Sequence, residues 1–206
     1  MKMPPRRRIE GNRVDDPNVV DGLKRALMAK HPELASAAQI RDVKTGGGLN
    51  IEALEIGPDQ QRLLIGFRSP LRNGRAIIAS VENPQGIFEA DEAPRVAADL
   101  DELDLGGHGI RGLSYVPAIG EYLVISGPVS REPGQFALWR WNGRQGGAAR
   151  RVTVPSLQSL ERAEGVSPAV IDGVDRIIIV SDDGSRKEER SAKYVLLDLD
   201  QLQTAH

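Results

Sequence analysis

Ile51-Glu52-Ala53-Leu54 is the stretch on which the fold turns, because the chain echoes it at Ile110-Arg111-Gly112-Leu113 and again at Ala163-Glu164-Gly165-Val166. After a turn, each is followed by a short apolar run: Leu63-Leu64-Ile65-Gly66-Phe67, Tyr122-Leu123-Val124-Ile125-Ser126 and Ile177-Ile178-Ile179-Val180-Ser181. A further run comes next, starting at Ala76, Phe136 and Tyr194 respectively. The step is 59 residues from Glu52 to Arg111 and 53 from Arg111 to Glu164. A period of that size, filled by three or four short strands, is the pattern of propeller blades and related β-arrays. The expected fold is mainly all-β: a partial β-propeller-like array of about three antiparallel blades with one N-terminal helix. Residues 1–45 read as an arm and helix, and residues 46–206 as the array.

The helix is expected to start at Asp16-Pro17, an N-cap acid followed by a proline whose missing N–H costs nothing in the first turn. Val20, Leu23, Leu27 and Met28 continue it at helical spacing, and His31-Pro32 ends it, with His31 as a capping group. A second helical turn fits around residues 33–39. The middle run of each unit is apolar at consecutive positions, as a strand covered on both faces requires. Leu64, Ile65, Val124, Ile125, Ile178 and Ile179 are therefore expected in the core. Fourth strands are read at Gly86-Ile87-Phe88 and within 149–154, with none evident after Leu199. Residues 89–103 read as an acidic loop or short helical turn, and Ser185–Arg190 as a solvated hairpin tip. Trp139 and Trp141 are read on opposite faces of one strand, in the core or between blades.

Composition excludes several classes. The net charge is −2 and the basic residues are scattered, apart from Arg6-Arg7-Arg8, so no nucleic-acid stripe or membrane-surface patch is formed. No window approaches the roughly 18 consecutive apolar residues of a spanning helix. There is no cysteine, hence no disulfide and no thiolate metal site. With no apolar signal core at the start, the expected location is cytoplasmic. Three histidines, at positions 31, 108 and 206, do not assemble a catalytic triad. Gly107-His108-Gly109-Ile110-Arg111-Gly112 matches GxGxxG, but Leu113-Ser114-Tyr115-Val116-Pro117 continues as strand and turn. The helix that would hold a pyrophosphate is missing. Asp182-Asp183-Gly184 lacks the outer ligands of a calcium loop, since Ile179 and Arg190 occupy their places.

The informative set is Glu52, Arg111 and Glu164, which hold one position in three units. Arg68 and Asp182 end the following strand in the first and third. In a propeller such positions converge on the central axis. The five residues are the candidate ligand-binding set, at the face where the strands open. Carboxylates suit a divalent cation, with Glu52, Glu164 and Asp182 as metal candidates, and arginines suit an anionic ligand. The competing reading is a salt-bridge network that locks neighbouring blades.

The stretches GLNIEAL, LLIGFRSP, LDLGGHGIRGL, YLVISGP, FALWRWNG and AEGV…RIIIVSDDG together resemble the uncharacterised bacterial family known as domain of unknown function 3616. The resemblance runs from about Gly46 to Leu199, with Ala53 where that family usually carries glycine. It implies a propeller-like fold and no established activity. It also implies that this chain corresponds to the C-terminal part of longer members. Three blades do not close a ring, so the ends call for strands from residues 1–16, a second copy pairing along exposed sheet edges, or truncation of a longer gene product. Two functions follow: a domain that binds a ligand or partner at the strand-mouth face, or a metal-assisted hydrolase of phosphatase or lactonase type using the same carboxylates.

Overall fold

In the computed structural model the described residues are 9–10, 13–14, 19–43, 47–130, 134–154 and 162–204. The runs picked out by their apolar content form three antiparallel sheets. The first takes β3 (Asn50–Ile56), β4 (Leu63–Ser69), β5 (Ala76–Val81) and β6 (Asp101–Leu103) in sequence order. The second takes β7 (Gly109–Val116), β8 (Glu121–Gly127), β9 (Ala137–Trp141) and β10 (Arg150–Val152). The third is β11 (Ala163–Ile171), β12 (Val174–Ser181) and β13 (Tyr194–Asp198), with a 3-10 turn, Leu199–Gln201, after it. A two-stranded hairpin, β1 (Ile9–Glu10) with β2 (Arg13–Val14), precedes them where an extended arm was expected. Among the described residues no sheet closes on itself.

The second sheet lies between the other two, and alternation along its strands divides the core. Tyr122 and Val124 join Leu64, Ala76 and Ile78 of the first sheet in one cluster. Leu123 and Ile125 join Val166, Ile177 and Ile179 of the third in another. The first sheet has an occupied outer face as well. Ile65, Phe67 and Ile77 pack against Leu27 of α1 (Leu23–Lys30) and Leu34 of α2 (Pro32–Ala37). β4 and β5 are thus buried on both sides, which is why their sequences are apolar without alternation.

The third sheet is terminal and covered on one face only. Ile177 and Ile179 are fully buried, whereas Ile178 is half-buried and Val180 is 44 % exposed. The expectation that Ile178 lies in the core is therefore corrected. Its pleat points away from the second sheet, and it joins none of the three cores. Past the 3-10 turn, Leu202 enters the core between the second and third sheets, and Thr204 bridges to Val152 on the edge of the second.

The helices also depart from expectation. Asp16-Pro17 lies outside the described residues, and α1 begins only at Leu23, behind Gly22 in a left-handed conformation (φ 104°) that interrupts an earlier start. α2 follows directly, with Pro32 in its first turn and His31 closing one helix and opening the next. A third helix, α3 (Pro84–Ala90), occupies the stretch read as a fourth strand at Gly86-Ile87-Phe88. Pro84 sets the first turn and has no N–H for a ladder, and only Ile87 and Pro84 turn inward. The fourth strand comes later, as β6. Trp139 and Trp141, two residues apart on β9, share one face rather than opposing each other, and both pack against the core between the first two sheets. Among the described residues, no helix is long and apolar enough to cross a membrane.

Candidate functional site

The inner strand of each sheet is bulged at one residue. Ile51 pairs with Phe67 and Ala53 with Gly66, leaving Glu52 as the extra residue. Ile110 pairs with Ser126 and Gly112 with Ile125, leaving Arg111. Ala163 pairs with Ser181 and Gly165 with Val180, leaving Glu164. A bulge bends its strand and re-aims the unpaired side chain. Three bulges on neighbouring strands turn three charged side chains towards one another.

They meet as a chain of alternating sign. Arg68 Nη1 lies 3.3 Å from Glu52 Oε1, Glu52 Oε2 lies 2.8 Å from Arg111 Nε, and Arg111 Nη2 donates to Glu164 Oε1. The Arg111 Nε contact is an ion pair whose angle falls outside hydrogen-bonding geometry. Arg68 spends its remaining nitrogens across the sheet boundary, Nε on the Pro128 carbonyl (3.0 Å) and Nη2 on the Ser130 carbonyl (2.6 Å). Asn50 Nδ2 steadies Glu52 Oε1 at 2.9 Å, and the Arg111 guanidinium sits 5.7 Å from the centre of the Phe136 ring. The side chains of Arg68 and Arg111 are 8 % and 7 % exposed, those of Glu52 and Glu164 22 % and 36 %. The cations are buried and the carboxylates lead outward to water.

The backbone makes room for this. A Cβ on Gly109 would fall 1.9 Å from the Arg68 carbonyl oxygen, so β7 enters its sheet in contact with the main chain at Arg68 only because residue 109 has no side chain. The GxGxxG match thus serves a close approach of two strands, with a strand and no helix after it.

Four of the five residues marked in the sequence, Glu52, Arg68, Arg111 and Glu164, come together. Asp182 is exposed and is held through its backbone N–H, which donates to the Arg162 carbonyl at 2.9 Å. Its neighbour Asp183 is the buried one, accepting from Ser181 Oγ and from Lys193 N (3.1 Å) with Lys193 Nζ at 3.7 Å from its other oxygen. The Ser181 hydrogen bond holds the Asp183 carboxyl below the usual carboxylate range, against burial, which raises it. Glu52, Glu164 and Asp182 do not gather as a metal-binding group: among the described residues no three His, Asp or Glu side chains do. Asn50, Phe136 and the Pro128 and Ser130 carbonyls were not marked by the sequence. Of these, Asn50 is two residues from Glu52 on the same strand, the one position where proximity in sequence could have pointed to the site.

Chemically, the arrangement joins three sheets at their inner strands and exposes carboxylate oxygens above two buried guanidiniums. Each nitrogen of Arg68 has a partner, Nε and Nη2 on carbonyls and Nη1 on Glu52, which uses three of its five N–H donors, the two carbonyl bonds tying the first sheet to the second.

Residues 18–198 match the model of a family described as protein of unknown function (DUF3616). No curated protein and no solved structure matches the chain.

Proposed function

Since the chain belongs to the DUF3616 family of proteins of unknown function, we propose a role from the geometry of its own site: a non-catalytic binding module that takes its ligand at the strand-mouth face. Glu52, Arg68, Arg111 and Glu164 form the floor, and Glu164 with Asp182 offers the outward acceptors. The three sheets serve as consecutive blades of an open propeller-like array over residues 46–206, with residues 1–45 as the arm and helices that cover its first blade. The observation that carries the reading is the recurrence of one bulge, at Glu52, Arg111 and Glu164, on three neighbouring inner strands. Because Arg68 and Arg111 are buried and paired with carboxylates that are themselves the more exposed groups, the face suits a ligand that brings hydrogen-bond donors or positive charge. A metal-assisted hydrolase has less support, because Glu52 and Glu164 are each paired with arginine.

A thermal-shift screen of divalent cations and of cationic amines tests this, since a ligand that binds only the folded state raises Tm. A saturable rise that disappears in Asp182→Asn and Glu164→Gln supports the module. No response across the screen, or one that both variants retain, refutes it. Metal-dependent turnover of a phosphate ester or lactone that those variants abolish would favour the hydrolase instead.

A further inference from the structure

Away from the inner strands, a cleft of about 760 Å³ opens between the outer strands of the first and second sheets. Arg75, Leu100, Glu102 and Asp104 line it from the first sheet, and Trp139 with the Gly146–Ala149 turn lines it from the second. We propose that this cleft binds a neutral saccharide, with Trp139 as its stacking platform.

Three features select that ligand class. The first is the indole. Trp139 Nε1 donates to the hydroxyl of Ser126 at 2.8 Å, and Ser126 is fully buried. The ring is fixed from behind and its only donor is spent there, so what it lends to the cleft is carbon surface. Such a surface suits the C–H face of a pyranose. The second is charge. Glu102 shares Arg72 with Glu33, and Asp104 Oδ1 accepts the Gly106 N–H. Arg75 and Asp104, both exposed, set a charge of each sign beside Glu102 on the first-sheet wall. A small ion would meet charges of both signs on that one wall, whereas a polyol serves both, because each hydroxyl donates and accepts. The third is shape. The volume falls in the range of small-molecule sites, and the cleft has the mixture of apolar wall and few polar groups that marks them. Gly147 and its neighbours leave the turn free of bulky side chains over the opening.

The site shares no residue with the strand-mouth cluster, so it stands or falls independently of the function proposed there. The test uses the intrinsic fluorescence of the full chain, which has two tryptophans, Trp139 in the cleft and Trp141 buried in the core. Glucose, galactose, N-acetylglucosamine, maltose and cellobiose are titrated to about 100 mM, the range in which an open, weakly enclosing site is read. Choline and spermidine form a cationic arm and acetate an anionic one. The expected result is a saturable emission change with at least one sugar and none with the ions. Its midpoint should shift about tenfold or more in Arg75→Ala and in Asp104→Asn, exposed substitutions that leave the core untouched. In Trp139→Phe the response should be lost while sugar binding by calorimetry persists more weakly. The proposal is overturned if no sugar saturates, if the variants bind as the parent does, or if only an ion gives the response.

Discussion

Replacing Arg111 by leucine removes the centre of the charge chain, and the structure sets the size of the effect. The side chain is 7 % exposed and bridges Glu52 and Glu164. Stripping one partner from a fully buried pair costs about 3–5 kcal/mol, because the abandoned charge stays dry. Neither carboxylate here is fully abandoned. Glu164, 36 % exposed, takes up water, and its share approaches the surface value of under about 1 kcal/mol. Glu52 is drier, but keeps Arg68 at 3.3 Å and the Asn50 amide at 2.9 Å. Loss of the guanidinium beside Phe136 adds about 1 kcal/mol. The expected total is about 2–4 kcal/mol, short of the full penalty because water reaches both carboxylates. Urea denaturation reads it as a lower midpoint at unchanged slope. Two neutralising variants fix the direction of the argument. Glu52→Gln leaves two buried arginines short of a shared carboxylate and should cost more than Glu164→Gln, which touches one arginine at the wet end. A change below about 1 kcal/mol for Arg111→Leu, or the reverse order for the two glutamates, refutes the picture of a desolvated lock.

Three further outcomes follow from other parts of the molecule. Gly109→Ala should cost about 3 kcal/mol or more in the same assay, since its methyl group would fall 1.9 Å from the Arg68 carbonyl oxygen; a neutral result would mean that β7 does not press on that strand. Ile179→Ala should cost about 2–4 kcal/mol and Ile178→Ala clearly less, because only the first lies in a core; equal losses would contradict the one-sided burial of the third sheet. For His31, burial lowers the imidazole pKa below 6.5, against a backbone hydrogen bond at Ala97 and Asp99, which raise it, and with Arg72 and Lys30 lowering it further. The folded pKa is the depressed one, so the stability tied to the neutral ring is present above 6.5 and is lost as pH falls from there through the folded value. Denaturation midpoints between neutral and mildly acidic pH should decline in the parent and decline less in His31→Gln. Identical slopes would remove His31 from the account, leaving His108, which burial shifts the same way.

The apolar runs carried the first three strands of each sheet in the sequence itself, because consecutive β-branched residues bounded by turns have few other ways to bury themselves, whereas β6 lay in a stretch read as an acidic loop. Leu64-Ile65 and Val124-Ile125 were legible as doubly covered for that reason. Ile178-Ile179 has the same letters and a different fate. Whether a second layer lies against a strand is decided by its neighbours in space, and the third sheet has one on one side only. The short helix at Pro84 escaped because Gly86-Ile87-Phe88 is too brief for its periodicity to separate helix from strand.

The site divides in the same way. The repeat brought Glu52, Arg111 and Glu164 to one position in each unit, and a shared position on neighbouring strands is enough to predict that they meet. Spacing does not say which side chains are left over when a ladder slips by one residue, and it was the bulges that aimed these three inward. Nor does it distinguish Asp182 from Asp183, one of which faces water and the other a buried hydroxyl, since a single step along an extended chain reverses direction. Sequence alone determined the first three strands of each sheet and the charges that gather at their mouths. Tertiary structure decided how those charges pair and how dry each one is, because pairing and desolvation depend on distances between segments more than fifty residues apart.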